Sequence, residues 1–257
     1  MGPLTIHFYA IAILTGIAVA IYWGNARFVA AGGAPGRVSE VAIVAVPMGV
    51  IGGRIYHVIS SPQGYFGDNG RPIEIFYIWQ GGLGIWGAIS LGLAAAWWSF
   101  KRNKISAANS LTFGVFADAL APGVVVAQAI GRWGNWFNVE LFGRPTTLPW
   151  GLEVPMRFRP DGFTEFATFH PTFIYESIWC LIVAFILLRF EKFRMAPGSI
   201  FIAYVALYSF GRIFIESLRI DDANLILGLR LNIWVGILVC AVSSATLIKR
   251  WKIATRG

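Results

Sequence analysis

The chain has 257 residues, of which 56% are hydrophobic, 15% aromatic and only 13% charged, with a mean hydropathy of +0.64. So few polar side chains do not cover a 28.3 kDa globule in water, which excludes a soluble protein. A formal charge of +8 would suit nucleic acid, but the 21 Lys and Arg are scattered between apolar segments rather than gathered on one polar face, which excludes that partner too.

A helix that crosses a bilayer needs roughly 20 mostly apolar residues. Seven runs qualify, at about 7–28, 41–60, 81–100, 109–129, 171–190, 198–218 and 231–250. The first has neither a basic leader nor a small-residue cleavage site, so it reads as a retained span. After the second comes SSPQGYFGDNGRP (60–72), rich in turn formers and read as a short outer loop. The fourth is followed by GRWGNWFNVELFGR (131–144) and then by PTTLPWGLEVPMRFRPDGFTEFATF (145–169), whose prolines oppose a continuous helix. Cys180 and Cys240 fall inside predicted spans, where they read as small packing residues rather than a redox pair.

The five lysines (Lys101, Lys104, Lys192, Lys249, Lys252) follow the third, fifth and seventh runs, and no Lys or Arg precedes the first. The positive-inside rule then puts those connections and the C-terminus in the cytoplasm and the N-terminus outside. The expectation is an all-α integral membrane protein with seven transmembrane helices, one membrane domain over 1–257 and an outer-face segment at about 131–170. Arginines in the outer connections run against the topological preference, so they call for another role.

An arginine at mid-helix in lipid costs on the order of 2.5 to 3.5 kcal/mol, so it faces a partner, a cavity or a site. Arg132, Asn135, Asn138 and Glu140 follow the fourth run; as a helix, Arg132 and Asn135 would share a face, while Gly131, Gly134 and Gly143 allow bends instead. Tyr208, Arg212, Glu216 and Arg219 stand at i, i+4, i+8 and i+11, one stripe of a helix, with its arginines about 10 Å apart along the axis. Glu216 neutralises one of them and leaves a surplus positive charge that an anionic ligand would remove. In HPTFIYES (170–177), Pro171 opens a helix behind His170, and Glu176 at membrane depth needs a positive partner or a proton. Arg54 in GGRIYH and Asp118 in FADALAPG are polar residues that packing does not explain, and a salt bridge between them is one reading. Gly49 and Gly53, with the glycines at 81, 82 and 84, suit close helix contact.

With these residues in view, the chain resembles the bacterial prolipoprotein diacylglyceryl transferases. GRWGNWFNVELFGR follows that family's G-R-x-G-N-F-x-N-x-E-x-x-G-R signature, with Trp136 in place of the usual phenylalanine. IHFY (6–9), GGR (52–54), GGL (81–83), DALAP (118–122), HPTFIYE (170–176) and YSFGRIFIESLR (208–219) follow in family order. The resemblance implies a multi-pass enzyme of the bacterial cytoplasmic (inner) membrane that moves the diacylglyceryl group of phosphatidylglycerol to the lipobox cysteine thiol in the signal peptide of a preprolipoprotein. A thioether forms, glycerol 1-phosphate leaves, and neither cofactor nor metal takes part. It implies functional roles for Tyr9, Arg132, Asn135, Asn138, Glu140, Gly143, Tyr208, Arg212, Glu216 and Arg219, and places Arg54 and Gln80 on the substrate side. The chain departs from the family at Gln80, where many members carry a histidine considered as a base; glutamine takes no proton at neutral pH.

Magnitudes then rank the chemistry. A free thiol has a pKa near 8.5, so complete deprotonation gains only about 30-fold at neutral pH. Losing one preorganised donor from developing anionic charge commonly costs about 100- to 1000-fold. Arg132 and Arg212 are therefore expected to grip the lipid phosphate, with Asn135, Asn138 and Tyr208 orienting headgroup oxygens or the arginines. Glu140 and Glu216 are expected to fix arginine rotamers, and His170 or Tyr9 to assist; no base is assigned. The rival reading is a lipid or small-anion transporter, which usually carries internal repeats that this sequence does not display.

Overall fold

A computed structural model describes residues 8–66, 70–78, 81–102, 111–193, 195–221 and 225–254. The helices are α1 (Phe8–Ala30), α2 (Arg37–Ser60), the short α3 (Gln63–Phe66), α4 (Ile85–Arg102), α5 (Phe113–Asn138), α6 (Thr172–Phe190), α7 (Ser199–Leu218) and α8 (Leu231–Ala254). Two antiparallel strand pairs complete the described residues: β1 (Leu152–Glu153) with β2 (Thr168–Phe169), and β3 (Leu225–Ile226) with β4 (Leu229–Arg230).

Six helices, α1, α2, α5, α6, α7 and α8, are long and apolar enough to cross a membrane. The remaining expected span is α4, whose 18 residues end in Trp97, Trp98, Ser99, Lys101 and Arg102, and these polar and amphipathic residues keep it out of that set. The protein is thus a helical, multi-pass membrane protein. Large apolar side chains such as Leu14, Ile43 and Phe185 point outward, 65%, 74% and 57% exposed, as lipid-facing residues do.

The chain divides into two compact units, one of α1 with α5 to α8 and their connections, the other of α2 to α4. In the second unit α2 and α4 lie backbone to backbone. A Cβ on Gly52 would collide with the Gly87 carbonyl and one on Gly87 with the Gly52 carbonyl, so only glycine allows this approach. In the first unit, the core interleaves Ala121, Val125 and Ala129 of α5 with Cys180, Val183 and Leu187 of α6 and Ala203 of α7, all buried. A smaller core of Phe142, Val154 and Phe169 supports the β1–β2 pair.

Asp118 and Arg54 are each satisfied by backbone in their own unit, which corrects the expected salt bridge. The Asp118 carboxylate accepts the Gly198 and Phe201 N–H groups at 2.6 and 2.8 Å, capping α7 from a residue 80 positions away, where Gly198 offers no side-chain cap. Asp118→Ala leaves those donors unmet, and we expect a loss of about 1 to 3 kcal/mol in thermal unfolding of the detergent-solubilised protein. Unchanged melting would show that the cap is dispensable.

Candidate active site

The first eight residues of GRWGNWFNVELFGR are the last turns of α5, two to nine residues beyond the expected end of that run. Gly131 and Gly134 do not bend it; Tyr9 of α1 packs on Gly134, where a Cβ would lie 3.2 Å from the Tyr9 Cα. Beyond Asn138 the chain reverses through Val139 and Leu141, both at positive φ (50° and 58°). Such conformations are costly for a β-branched residue and persist where surroundings impose them. Here the reversal folds Glu140 back, and its Oε1 accepts the Nδ2 groups of Asn135 and Asn138, each at 3.0 Å. Thr172 Oγ1 holds the Leu141 carbonyl.

The segment then runs in strand-like fashion between two neighbours. Gly143 N–H donates to the His170 carbonyl at 2.8 Å, Arg144 N–H to the Leu218 carbonyl at 2.8 Å, and Gly143 bridges Arg219. A Cβ on Gly143 would stand 2.9 Å from Thr172 Cγ2 and 3.0 Å from both His170 Cβ and the Leu218 carbonyl oxygen. Gly143→Ala must push these elements apart, an overpacking cost of about 1 to 3 kcal/mol. The variant is expected to melt lower and to turn over at least about tenfold more slowly, since each 1.36 kcal/mol of lost positioning is tenfold in rate; wild-type turnover would show the pairing to be loose.

Four arginines and three carboxylates form a continuous ion-pair chain at this end of the unit. Arg132 Nε lies 2.7 Å from Glu176 Oε2, while Arg212 Nη1 takes the other oxygen, Oε1, of the same carboxylate. Arg212 Nη2 reaches Glu216 Oε2 at 2.6 Å. Glu216 Oε1 accepts Arg230 Nε at 2.8 Å and Asn232 Nδ2 at 3.1 Å, and Arg219 Nη1 stands 4.0 Å from its Oε2. Arg219 forks onto Asp221 at 2.6 and 2.8 Å, and Arg230 joins the same carboxylate at 3.0 Å. Tyr208 OH accepts Arg132 Nη2 at 3.3 Å.

Four guanidiniums against three carboxylates leave one positive charge within the chain of pairs. Two of the carboxylates are sealed, Glu176 and Glu216 being 7% and 0% exposed, while Asp221 keeps 35% and the side chains of Arg132 and Arg212 keep 23% and 19%. Among the described residues, neither Arg132 Nη1 nor Arg212 Nε has a partner, so each of these partly exposed arginines keeps an N–H donor uncommitted. At Asp221, outside the spans, burial alone would raise the carboxyl, but Arg219 and Arg230 outweigh it and hold it below its usual range. This clasp therefore contributes stability at neutral pH that is lost as pH falls below about 4.

Several expected residues meet here and others do not. Arg132, Tyr208, Arg212, Glu216 and Arg219 share the network, in which Glu216 pairs with Arg212 and Arg230. Glu140 does not; it holds the two asparagines instead, because the reversal at Val139 aims it back along α5. Tyr9 lies on Gly134, and its hydroxyl bonds to no described residue. His170 Nδ1 is 3.0 Å from Tyr175 OH, which also accepts Trp150 Nε1 at 2.9 Å. In the second unit, Arg54 is 7% exposed and gives its N–H groups to the carbonyls of Glu74, Ile75, Gly81 and Gly82. Gln80 lies outside the described residues. The sequence called for a positive partner or a proton at Glu176 without marking it as the centre, and did not single out Asp221, Arg230 or Asn232. Their signal was present in polar residues flanking the last apolar run.

Comparison with known proteins adds an independent finding. The model of the family described as prolipoprotein diacylglyceryl transferase matches residues 1–249. A protein of Streptomyces coelicolor named phosphatidylglycerol--prolipoprotein diacylglyceryl transferase 2 is 50% identical over 249 residues, 96% of this chain and 77% of its own length. Similarly named proteins of Cutibacterium acnes (52% identical, 90% of this chain, 77% of theirs) and Frankia alni (49% identical, 97% and 65%) match as well.

Proposed function

Because the chain belongs to the prolipoprotein diacylglyceryl transferase family, we propose that this transferase moves the diacylglyceryl group of phosphatidylglycerol to the lipobox cysteine of preprolipoprotein signal peptides. The thiolate sulfur attacks the glyceryl carbon that carries the phosphate. A C–S bond forms as the C–O bond breaks, the thiol proton passes to a base, and glycerol 1-phosphate leaves with one more negative charge than the phosphate bore in the lipid. The observation that carries this reading is that Arg132 and Arg212 sit on the two oxygens of one carboxylate, Glu176.

That bracket holds two planar guanidiniums side by side without consuming all of their donors, as a developing phosphate dianion requires. Removing mutual freedom beforehand means that no reorganisation is needed when the charge appears. Tyr208 orients Arg132, and Glu216 with Arg219 and Arg230 restrains Arg212. Asn135, Asn138 and Glu140 stiffen the α5 terminus, and Gly143 lets the outer segment close against it. No residue is assigned as the base; His170 or Tyr9 assists the transfer. Arg54 and Gln80 are assigned to the substrate side on the family motif alone.

The same proposal covers topology. We assign α4 as a seventh span, about 27 Å long at 1.5 Å per residue against a hydrocarbon core of about 30 Å. The N-terminus is outside, the C-terminus cytoplasmic, the chain one membrane domain, and the membrane the bacterial inner one; Lys101, Lys192, Lys249 and Lys252 support that orientation. The protein reconstituted in phosphatidylglycerol vesicles with a lipobox peptide should yield, by mass spectrometry, a peptide carrying one diacylglyceryl thioether, with glycerol 1-phosphate released. Lipid crossing the bilayer with no adduct would replace this reading with the carrier one.

A further inference from the structure

The connection from α7 to α8 holds a feature that the transfer reaction leaves unused. β3 and β4 pair Leu225 with Arg230 and Ile226 with Leu229, so Leu227 and Gly228 form a two-residue turn. Both have positive φ, 52° and 78°, the combination of a type I′ hairpin, for which Asn-Gly is the favoured pair. Leucine is disfavoured in that conformation because its Cβ crowds the following carbonyl. The fold gives the side chain almost nothing in return, since Leu227 is 88% exposed and Leu225 and Ile226 are 66% and 48% exposed. A strained leucine displayed outward implies an apolar neighbour outside the chain.

The surface that continues from the tip identifies that neighbour. Trp234 Nε1 donates to the Ile226 carbonyl at 2.9 Å and ties the hairpin to the first turn of α8. From there Leu231, Trp234, Leu238 and Val242, at i, i+3, i+7 and i+11, carry the exposed apolar strip down one face of a helix long enough to cross the bilayer. Its neighbour along that face is lipid. The one charge within β3, β4 and their turn, Arg230, is taken up by Glu216 and Asp221, so among the described residues of the hairpin no unpaired charge opposes burial of the tip.

We propose that the β3–β4 tip, led by Leu227, is a membrane anchor that inserts into the boundary between headgroups and acyl chains. The anchored strand is the one that carries Arg230, so lipid contact steadies the restraint on Glu216 and, through it, Arg212. The inference rests on the membrane placement of α7 and α8, not on the transfer reaction.

The test uses the full-length protein in mixed phosphatidylglycerol and phosphatidylcholine vesicles, with Leu227→Cys carrying an environment-sensitive fluorophore. Lipids spin-labelled near the carbonyl should quench it more than lipids labelled at mid-chain, and aqueous iodide should quench it poorly. Free access to iodide without lipid quenching would overturn the proposal. So would lipid quenching that disappears on adding lipobox peptide, or that depends on protein density as contact with a second copy would. Leu227→Asn supplies the residue that the turn prefers, so it should fold with an undiminished melting temperature. In that background a label at Ile226→Cys should become several-fold more accessible to iodide; unchanged access would also refute the anchor.

Discussion

Arg132→Lys should lower diacylglyceryl transfer about 100- to 1000-fold at an unchanged protein level, the range seen when one preorganised donor is removed from developing anionic charge. Lysine keeps the charge but loses the fork. Arg132 spans Glu176 through Nε and Tyr208 through Nη2 while Nη1 meets no described residue, and one ammonium on a flexible stem cannot reproduce this fork. Because Glu176 retains Arg212 as a partner, the carboxylate stays neutralised and the fold is spared. Initial rates of thioether formation on a lipobox peptide, with the melting temperature as control, measure the effect. A loss under tenfold would deny the fork its role.

Glu216→Gln should be the most destabilising single change in the cluster, costing about 3 to 5 kcal/mol, because it strips a carboxylate from buried cations rather than removing a matched pair. Glu216 is 0% exposed and faces Arg212, Arg230 and Asn232 directly, with Arg219 at 4.0 Å. The neutral amide can satisfy some donors, yet among the described residues Asp221 is then the only carboxylate left to Arg219 and Arg230. Adding Arg230→Gln removes one orphaned charge, so the double variant should recover part of the loss, a coupling of about 0.5 to 3 kcal/mol in thermal unfolding. Strict additivity would contradict the shared network.

The sequence made the spans legible because lipid imposes a simple rule of length and apolarity, and six of the seven runs recur as helices that meet it. It also brought out the Tyr208–Arg212–Glu216 stripe, since helical spacing determines which side chains share a face. The same rule failed one step later. α7 ends at Leu218, and Arg219 is extended (φ −72°, ψ 147°), so it turns to Asp221 instead of continuing the stripe. Glu176 was recognised as needing a cation, but its partners lie 44 and 36 residues away, and spacing within one helix carries no information about contacts between helices. Glu140 was misassigned because the reversal at Val139 and Leu141 puts two ordinary residues in left-handed conformations, which no turn-forming residue announced.

The rate ratio of wild type to Arg132→Lys at two pH values tests directly whether the arginine pair carries charge on the leaving phosphate rather than activating the thiol. A free thiol titrates near pH 8.5, so at about pH 9.5 the peptide is mostly thiolate without help, while a lysine of ordinary pKa, about 10.4, is still mostly charged. The account predicts the same ratio, at least about 100-fold, at pH 7 and pH 9.5. A ratio that collapses toward unity at the higher pH would mean that Arg132 acts on the nucleophile, and would contradict it.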